Sequence, residues 1–201
     1  MQRERVRAPL TTVALIITNI FIFILMEVTT GSTLETNVLL PWGAASTELV
    51  ARGQFWRLFS AMFLHSGLGH LANNMLLLFV LGSNLEPVLG TWRVLCVYLL
   101  GGLSGNIAAY YWYTGRGEQV VFIGASGAVF AVMGAVLLIV LICRGHMREL
   151  TIHQMLVMLA FSLYFGFASA GVSNAAHVGG LIAGFVLAFP LSIGRLDELR
   201  G

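Results

Sequence analysis

Six runs of apolar residues, each about as long as the hydrocarbon layer of a bilayer is thick, constrain this chain more than any other feature of its sequence. A helix needs about 20 apolar residues to cross a membrane, and short polar or glycine-containing breaks separate the runs. Charged residues make up only 10% of the 201 residues, against about a quarter in soluble domains. The sequence therefore predicts an all-α, polytopic membrane protein, a bundle of six transmembrane helices in a single domain over residues 1–201. The predicted spans cover residues 9–26, 68–85, 94–113, 120–143, 150–168 and 175–193.

The arginines predict which way the helices run, because the cytoplasmic ends of membrane helices are rich in positive charge. Eight of the eleven arginines fall on one side of the predicted bundle: Arg3, Arg5, Arg7, Arg93, Arg144, Arg148, Arg195 and Arg200. The other three, Arg52, Arg57 and Arg116, fall on the opposite side. We therefore expect both termini in the cytoplasm. The first run lacks the small-x-small cleavage site of a signal peptide, so we expect it to remain as a membrane helix.

The composition also argues against several classes of partner. The net charge of +2 comes with arginines spread thinly along the chain, whereas nucleic-acid-binding proteins concentrate basic residues on one surface. Cys96 and Cys143 lie in apolar runs without the spacing of metal ligands, so we expect reduced packing residues. We expect no nucleic-acid partner, no metal and no cofactor, and the lipid bilayer as the surrounding partner.

The connection between the first two spans, residues 27–67, is the only long one, and it carries several aromatic residues. Trp42, Phe55, Trp56 and Phe63 stand among polar neighbours. Aromatic side chains favour the interface between membrane and water, so we expect this segment to lie along the outer leaflet. An ordinary extracellular loop is the alternative that the aromatic content leaves open.

Polar residues inside a membrane are costly and usually face the protein interior or a cavity, so each one is a functional candidate. The second, fourth and sixth spans all run from outside to inside and carry polar residues near their outer ends. These are His70 and Asn74, then Ser126, then His177. Three parallel helices therefore present these groups at one depth below the outer surface. His146 and His153 belong to the cytoplasmic end, where we expect surface histidines.

Ser126 and His177 have the chemistry of a hydrolase site. A neutral imidazole within hydrogen-bond reach activates a serine hydroxyl by accepting its proton. His177, Gly180 and Gly184 share a helix face, and small residues there let a neighbouring helix approach closely. The structural alternatives are a serine that bonds back to its own helix and glycines that serve helix packing alone.

A carboxylate that would orient the histidine is missing from this depth. The only aspartate, Asp197, lies at the cytoplasmic end; Glu27 lies in the first loop and Glu86 beyond the inner end of the second span. The sequence therefore predicts a Ser–His dyad rather than a triad. Phe130, four residues after Ser126 on the same helical face, is a candidate to hold the imidazole by stacking. Packing against lipid or the core is the alternative for this ring.

His70 and Asn74 are one helical turn apart and point the same way. Together with the backbone N–H of Ser126, they would suit the developing oxyanion of an acyl transfer. A metal site is the rival hypothesis. It needs three or four ligands, and no carboxylate or cysteine lies at this depth beside the histidines.

Five motifs occur in order along the chain. They are Trp56-Arg57, His65, His70-x-x-x-Asn74, Gly124-Ala125-Ser126-Gly127 and Ala176-His177-x-x-Gly180-x-x-x-Gly184. In this combination they resemble the rhomboid intramembrane serine proteases, and the resemblance runs from about residue 9 to residue 193. Any one motif is a weak signal, whereas five in order and at matching depths are specific.

The resemblance implies a six-helix rhomboid core in which Ser126 is the nucleophile and His177 the general base and acid. It also implies that His70, Asn74 and the Ser126 amide form the oxyanion hole. The residues implied to support the site are Phe130, Asn174, Gly124, Gly127, Gly180 and Gly184. Some family members carry tyrosine where this chain has Phe130, so here the ring is kept and the hydroxyl contact is lost.

The resemblance implies transmembrane-protein substrates, since rhomboid proteases typically cleave single-span membrane proteins at small residues near the outer face. A substrate helix that unwinds easily fits this role, because the hydrogen bonds of a stable helix shield its carbonyl groups from attack. The expected location is the cytoplasmic membrane of a bacterium, and the 201 residues resemble the minimal bacterial form, without a seventh helix or a soluble domain.

Two other functions remain open at this point. The first is a non-catalytic member of the same superfamily that binds client helices without cutting them, although such relatives typically lack the serine or the histidine. The second is a small transporter or channel. That class usually shows inverted repeats or charges at the membrane midplane, and neither is visible here.

Overall fold

The structure, a computed structural model, describes residues 8–168 and 172–195, and helices dominate it. In chain order the helices are α1 (Leu10–Thr30), α2 (Thr36–Leu39), α3 (Thr47–Ala51), α4 (Arg57–Ser60), α5 (Gly67–Leu89), α6 (Thr91–Gly115), α7 (Ser126–Ile142), α8 (Ile152–Ala168) and α9 (Asn174–Ser192). A 3-10 turn, Ala61–Phe63, follows α4. Two short antiparallel pairs join β1 (Ala45–Ser46) to β2 (Val121–Phe122) and β3 (His146–Met147) to β4 (Leu150–Thr151). The predicted fold class, all-α and membrane-spanning, is confirmed.

Within the described residues, six helices are 17 residues or longer, and each overlaps one predicted span. Helices α1, α5, α6 and α9 are long and apolar enough to cross a membrane. Helices α7 and α8 are shorter, with 17 residues each, so six crossings stay a prediction. The terminal residues that entered the orientation argument, Arg3, Arg5, Arg7, Asp197 and Arg200, lie outside the described residues.

Three predicted helix boundaries are wrong by four residues or more, and the first of them is the end of α1, which lies at Thr30 instead of residue 26. The fourth helix begins at Ser126 rather than at residue 120, because Phe122 is extended and pairs with Ala45 of the first loop. Gly124 has φ +117°, which no right-handed helix contains. The second long helix continues to Leu89 instead of residue 85, so Glu86 lies inside it.

Helix α7 forms the centre of the bundle and packs most extensively against α9 and α6. Thirteen of its 17 residues are buried, as is expected of a helix that is apolar on every face and surrounded by other helices. Ser126, its first residue, therefore begins a helix enclosed by protein.

Glycines allow the central helices to approach within backbone contact. A Cβ atom placed on Gly184 of α9 would overlap the Ala131 carbonyl of α7, and one placed on Gly180 would overlap the Gly127 carbonyl. On α6, a Cβ placed on Gly105 would lie 2.6 Å from the Ala176 carbonyl oxygen. Small residues permit this close approach, and the contact brings the first turn of α9 against the first turn of α7.

The carboxylate of Glu86 links α5 to α1 by hydrogen bonds. The sequence did not suggest this role, because it placed Glu86 beyond the end of the second helix. Glu86 is 3% exposed. It accepts hydrogen bonds from the backbone N–H groups of Thr11 and Thr12, at 2.8 and 2.9 Å, and from the Thr12 hydroxyl at 2.8 Å. These N–H groups belong to the first turn of α1, where a helix has no partners of its own and favours a negative charge.

The first loop is folded against the helices. The buried Arg57 donates hydrogen bonds to the carbonyl oxygens of Leu40 and Ala44, at 2.7 and 3.0 Å. Asn106 of α6 donates to the Leu58 carbonyl at 2.8 Å. Trp56 remains exposed and lies 4.7 Å beneath the Arg57 guanidinium. Arg57 therefore holds the loop together and Asn106 joins it to α6, while its contact with the outer leaflet stays a prediction.

Candidate active site

A cavity of about 740 Å³ lies between α5, α7, α8 and α9 and contains the polar residues singled out by the sequence. His70 and Asn74 line it from α5, Ser126 from α7 and His177 from α9. The structure thus brings together four groups that are up to 107 residues apart in sequence (His70 to His177). His146 and His153 are exposed and lie outside this cavity.

The loop before α7 presents Ser126. Its backbone is held at two consecutive residues, since Gly124 N–H donates to the Ala61 carbonyl at 2.9 Å and Ala125 N–H donates to His65 Nε2 at 3.4 Å. The first hydrogen bond of the helix itself runs from Val129 N–H to the Ala125 carbonyl. The N–H of Ser126 therefore belongs to the unpaired first turn, which leaves it available to a ligand.

His177 is held by the ring of Phe130. The two rings stack with their centroids 4.2 Å apart and their planes 7° from parallel. His177 is 4% exposed. Both of its ring nitrogens are buried and have no hydrogen-bond partner among the described residues, so Ser126 and His177 are not hydrogen-bonded to each other here. Catalytic hydrogen bonds are often long before substrate binds, and the stacking keeps the imidazole beside the start of α7.

His70 points a donor toward the same place. The N–H of Ser66 donates to His70 Nδ1 at 3.4 Å, so in the neutral ring the hydrogen is on Nε2. A Cβ atom placed on Gly124 would lie 2.9 Å from that Nε2 and 3.7 Å from the Ser126 hydroxyl oxygen. A methyl group at residue 124 would therefore contact both the His70 imidazole and the Ser126 hydroxyl, and glycine leaves that space open.

Asn74 lies one turn further along α5 and is 2% exposed. Its amide donates to the His70 carbonyl at 2.9 Å. An asparagine amide has two hydrogens, so this bond leaves a second donor that a substrate can use. The intrahelical bond also fixes the side chain against its own helix.

His65 is a site residue to which the motif reading assigned no role. Its ring meets that of His70 edge to face, with centroids 5.2 Å apart. Burial, with a smaller contribution from the charge of His70, lowers the pKa of His65 to about 3. The ring is therefore neutral and accepts the Ala125 N–H. A second histidine five residues before His70 was the sequence signal that marked it.

Asn174, the first residue of α9, has a buried Oδ1 without a hydrogen-bond partner. The turn that carries it is capped by Ser173, whose hydroxyl accepts from Ala176 N–H at 3.2 Å. The other predicted supporting residues, Gly180 and Gly184, lie at the contact of α9 with α7. Asn174 is therefore buried at the start of α9 and the two glycines lie at its contact with α7, while the catalytic roles of these residues stay predictions.

The carboxylates near the C-terminal ends of α1 and α5 are engaged elsewhere. Glu27, inside α1 rather than in the first loop, accepts from the Thr33 hydroxyl at 2.5 Å, and Glu86 binds the start of α1. In the part of the chain that the structure describes, no three His, Cys, Asp or Glu residues are grouped as metal ligands. The predicted dyad and the predicted absence of a metal both stay predictions.

The helices, and the cavity in which polar residues of three of them meet, define a multi-pass membrane protein with a site between its helices. A family model described as the Rhomboid domain matches residues 52–194, and the chain belongs to the rhomboid family. Two similar proteins come from Bacillus subtilis (strain 168). "Rhomboid protease GluP" is 36% identical over 185 residues, covering 92% of this chain and 35% of that protein. "Putative rhomboid protease YdcA" is 35% identical over 140 residues, covering 70% and 69%.

A third relative, "Rhomboid protease AarA" from Providencia stuartii, is 31% identical over 174 residues, covering 76% of this chain and 61% of the relative. Across these three proteins, the chain spans from 35% to 69% of the relative's length. The Rhomboid family match, residues 52–194, includes every residue that lines the cavity.

Proposed function

We propose that the chain is an intramembrane serine endopeptidase, a hydrolase that cleaves peptide bonds of single-span membrane proteins near the outer face of the membrane. The observation that carries this proposal is the stacking of the His177 ring on Phe130. Phe130 lies one helical turn after Ser126 on α7, and all three residues line the same cavity. The names of the relatives, which are rhomboid proteases, support the same reaction.

In the proposed reaction, the Ser126 hydroxyl attacks the scissile carbonyl while His177 Nε2 accepts its proton. The tetrahedral intermediate then collapses to an acyl-enzyme, and the imidazolium returns the proton to the departing amine. A water molecule activated by the same imidazole hydrolyses the ester. Phe130 keeps the plane of the ring constant through both proton transfers, which is one of the tasks that a carboxylate performs in a triad.

The negative charge that develops on the substrate oxygen needs donors in a site shielded from bulk water. The proposed donors are His70 Nε2–H, the second amide hydrogen of Asn74 and the backbone N–H of Ser126. All three residues line the cavity, and the N–H of Ser126 adds the favourable end of the α7 dipole.

The proposed substrates enter from the lipid. Apolar side chains of α5 and α8, including Leu77, Met158 and Phe161, line the same cavity as Ser126, which suits a transmembrane segment better than a soluble peptide. The segment must unwind at the cut, because a helix in lipid shields its carbonyl groups with its own hydrogen bonds. We further propose six crossings, both termini in the cytoplasm and a bacterial cytoplasmic membrane.

Labelling of the purified protein with a fluorophosphonate, together with cleavage of a single-span substrate, tests the proposal. Wild type should be labelled on Ser126 and should cleave the substrate, whereas Ser126→Ala and His177→Ala should each insert and fold normally without cleaving. Removal of either member of a coupled pair abolishes most of the same activity. Appreciable cleavage by Ser126→Ala would refute the mechanism. An unlabelled wild type that still binds transmembrane segments would point to the non-catalytic alternative.

A further inference from the structure

Helix α8 meets the catalytic end of α9 at a glycine, Gly166. A Cβ atom placed there would overlap Asn174 Oδ1, and it would lie 3.3 Å from His177 Nδ1 and 3.4 Å from Asn174 Cγ. The backbone of α8 at Gly166 therefore lies directly against the amide of Asn174 and the Nδ1 edge of the His177 imidazole. Any side chain at this position would have to displace one of these groups or move the helix.

The two atoms that Gly166 covers are both polar, buried and without a hydrogen-bond partner among the described residues. One is an amide oxygen, which can only accept, and the other is an imidazole nitrogen. When His177 Nε2 accepts the Ser126 proton, Nδ1 must carry the other ring hydrogen. That hydrogen then requires an acceptor, because a buried donor without a partner is costly.

Asn174 Oδ1 is placed to be this acceptor. It and His177 Nδ1 both lie against the same point of α8. They sit three residues apart in the first turn of α9, where Ser173 fixes the backbone by capping Ala176 N–H and accepting from His177 N–H through its carbonyl. The carboxylates of Glu27 and Glu86 bind elsewhere, so neither competes for this place.

We propose that Asn174 is a positioning residue that accepts a hydrogen bond from His177 Nδ1–H. Gly166 permits this bond, because without a side chain there α8 packs against both groups and displaces neither. A small rotation of the amide closes the gap as the imidazole becomes charged. In the neutral ring the amide oxygen selects the tautomer with hydrogen on Nδ1, and after proton transfer it stabilises the imidazolium by its dipole. This inference rests on the proposed function of Ser126 and His177.

Asn174→Ala removes the acceptor, and Asn174→Asp restores one with nearly the same shape. An acidic residue in the first turn of a helix is also favourable to that helix. With the membrane-inserted protein acting on a single-span substrate, we expect Asn174→Ala to lower kcat at least about tenfold with KM unchanged, as for the loss of one hydrogen bond to a charged group. The loss should stay below the roughly 10⁴-fold that follows when a triad loses its charged orienting group. Asn174→Asp should keep most of the wild-type kcat.

Gly166→Ala tests the contribution of α8. The added methyl group meets Asn174 directly, so kcat should fall with KM unchanged, as in Asn174→Ala. Gly115→Ala is the matched control, because a Cβ atom on Gly115, at the end of α6, meets nothing within 4 Å. It should keep the wild-type kcat.

The outcomes separate this inference from the proposed function. If wild type is labelled by the fluorophosphonate and Asn174→Ala has the wild-type kcat per folded molecule, the positioning role is wrong while the protease remains. A lower melting temperature in detergent with an unchanged kcat would likewise overturn it and assign Asn174 to folding. Equal loss of kcat in Asn174→Ala and Asn174→Asp would also contradict it, since the second variant keeps the acceptor. An unlabelled wild type would instead refute the proposed function.

Discussion

Gly124→Ala is the substitution that tests most directly how the loop before Ser126 arranges the site. The native glycine has φ +117°, and a Cβ atom there would lie 2.8 Å from His70 Cε1 and 2.9 Å from His70 Nε2. A methyl group therefore introduces two separate strains. One is in the backbone of the loop, and the other is against the imidazole of the proposed oxyanion donor.

The expected size of each effect follows from these contacts. Carbon atoms in ordinary contact are about 3.5–4.0 Å apart, so the His70 ring has to retreat by roughly 0.7 Å. Because a misplacement of about 1 Å can cost about 10²-fold in rate, we expect kcat to fall by about 10- to 100-fold. A non-glycine residue held in a sparsely populated backbone region costs about 1–3 kcal/mol, which should appear as a lower free energy of unfolding.

The measurements are the kcat for a single-span substrate, the rate of fluorophosphonate labelling and the melting temperature in detergent. Gly117→Ala is the matched control: its φ of +70° also disfavours alanine, but a Cβ atom there meets nothing within 4 Å. We expect Gly117→Ala to lose about 1 kcal/mol of stability, as in other left-handed positions, and to keep its turnover.

Two results would refute the reasoning about Gly124. Wild-type turnover per folded molecule of Gly124→Ala would mean that His70 does not depend on the space at this glycine. An equal fall in turnover for Gly117→Ala would assign the effect to backbone strain in the loops instead of the contact with the imidazole.

Four further outcomes are expected. Asn74→Ala should lower turnover about 10²–10³-fold with little change in substrate affinity, as for the loss of one oxyanion donor; intact turnover with a lower melting temperature would make Asn74 structural. Glu86→Ala should lower the free energy of unfolding by at least about 2 kcal/mol, because it leaves buried N–H groups of α1 unpaired. The control Thr18→Ala, at an exposed hydroxyl that bonds back to its own helix, should cost far less. A reporter fused after Gly201 should read as cytoplasmic, and a periplasmic signal would contradict the even number of crossings. Chelators should leave cleavage unchanged, whereas inhibition that zinc reverses would favour a metal site.

The helical class could be predicted because a bilayer imposes its requirements locally. Every run long and apolar enough to cross the hydrocarbon must satisfy its backbone hydrogen bonds internally, so each becomes a helix wherever it packs. The boundaries of the helices were harder to predict from the sequence. The fourth predicted run includes Phe122, but the pairing of that residue with Ala45 in the first loop and the positive φ of Gly124 exclude it from α7.

The candidate site was predictable as a set of residue types at one depth. Ser126, His177, His70 and Asn74 stood out because polar groups in apolar runs are costly and because the helices that carry them run in the same direction. Residues that act by position were less visible. The sequence marked His65 without giving it a role, and its role became clear only from its contact with the Ala125 N–H. Gly166 became recognisable only from its contact with the amide of Asn174.

By itself, the sequence determined the membrane class, the approximate helices and the polar groups that the helices carry, since hydrocarbon thickness and the cost of polar groups in lipid act on each segment separately. Only the tertiary structure decided which atoms meet. The stacking of Phe130 on His177, the Glu86 carboxylate at the start of α1 and the closure of Gly166 on Asn174 each join two helices. Such contacts form only if the helix separations are right to within a few tenths of an ångström. Those separations are set by the packing of the whole bundle, including the close approach that glycine permits.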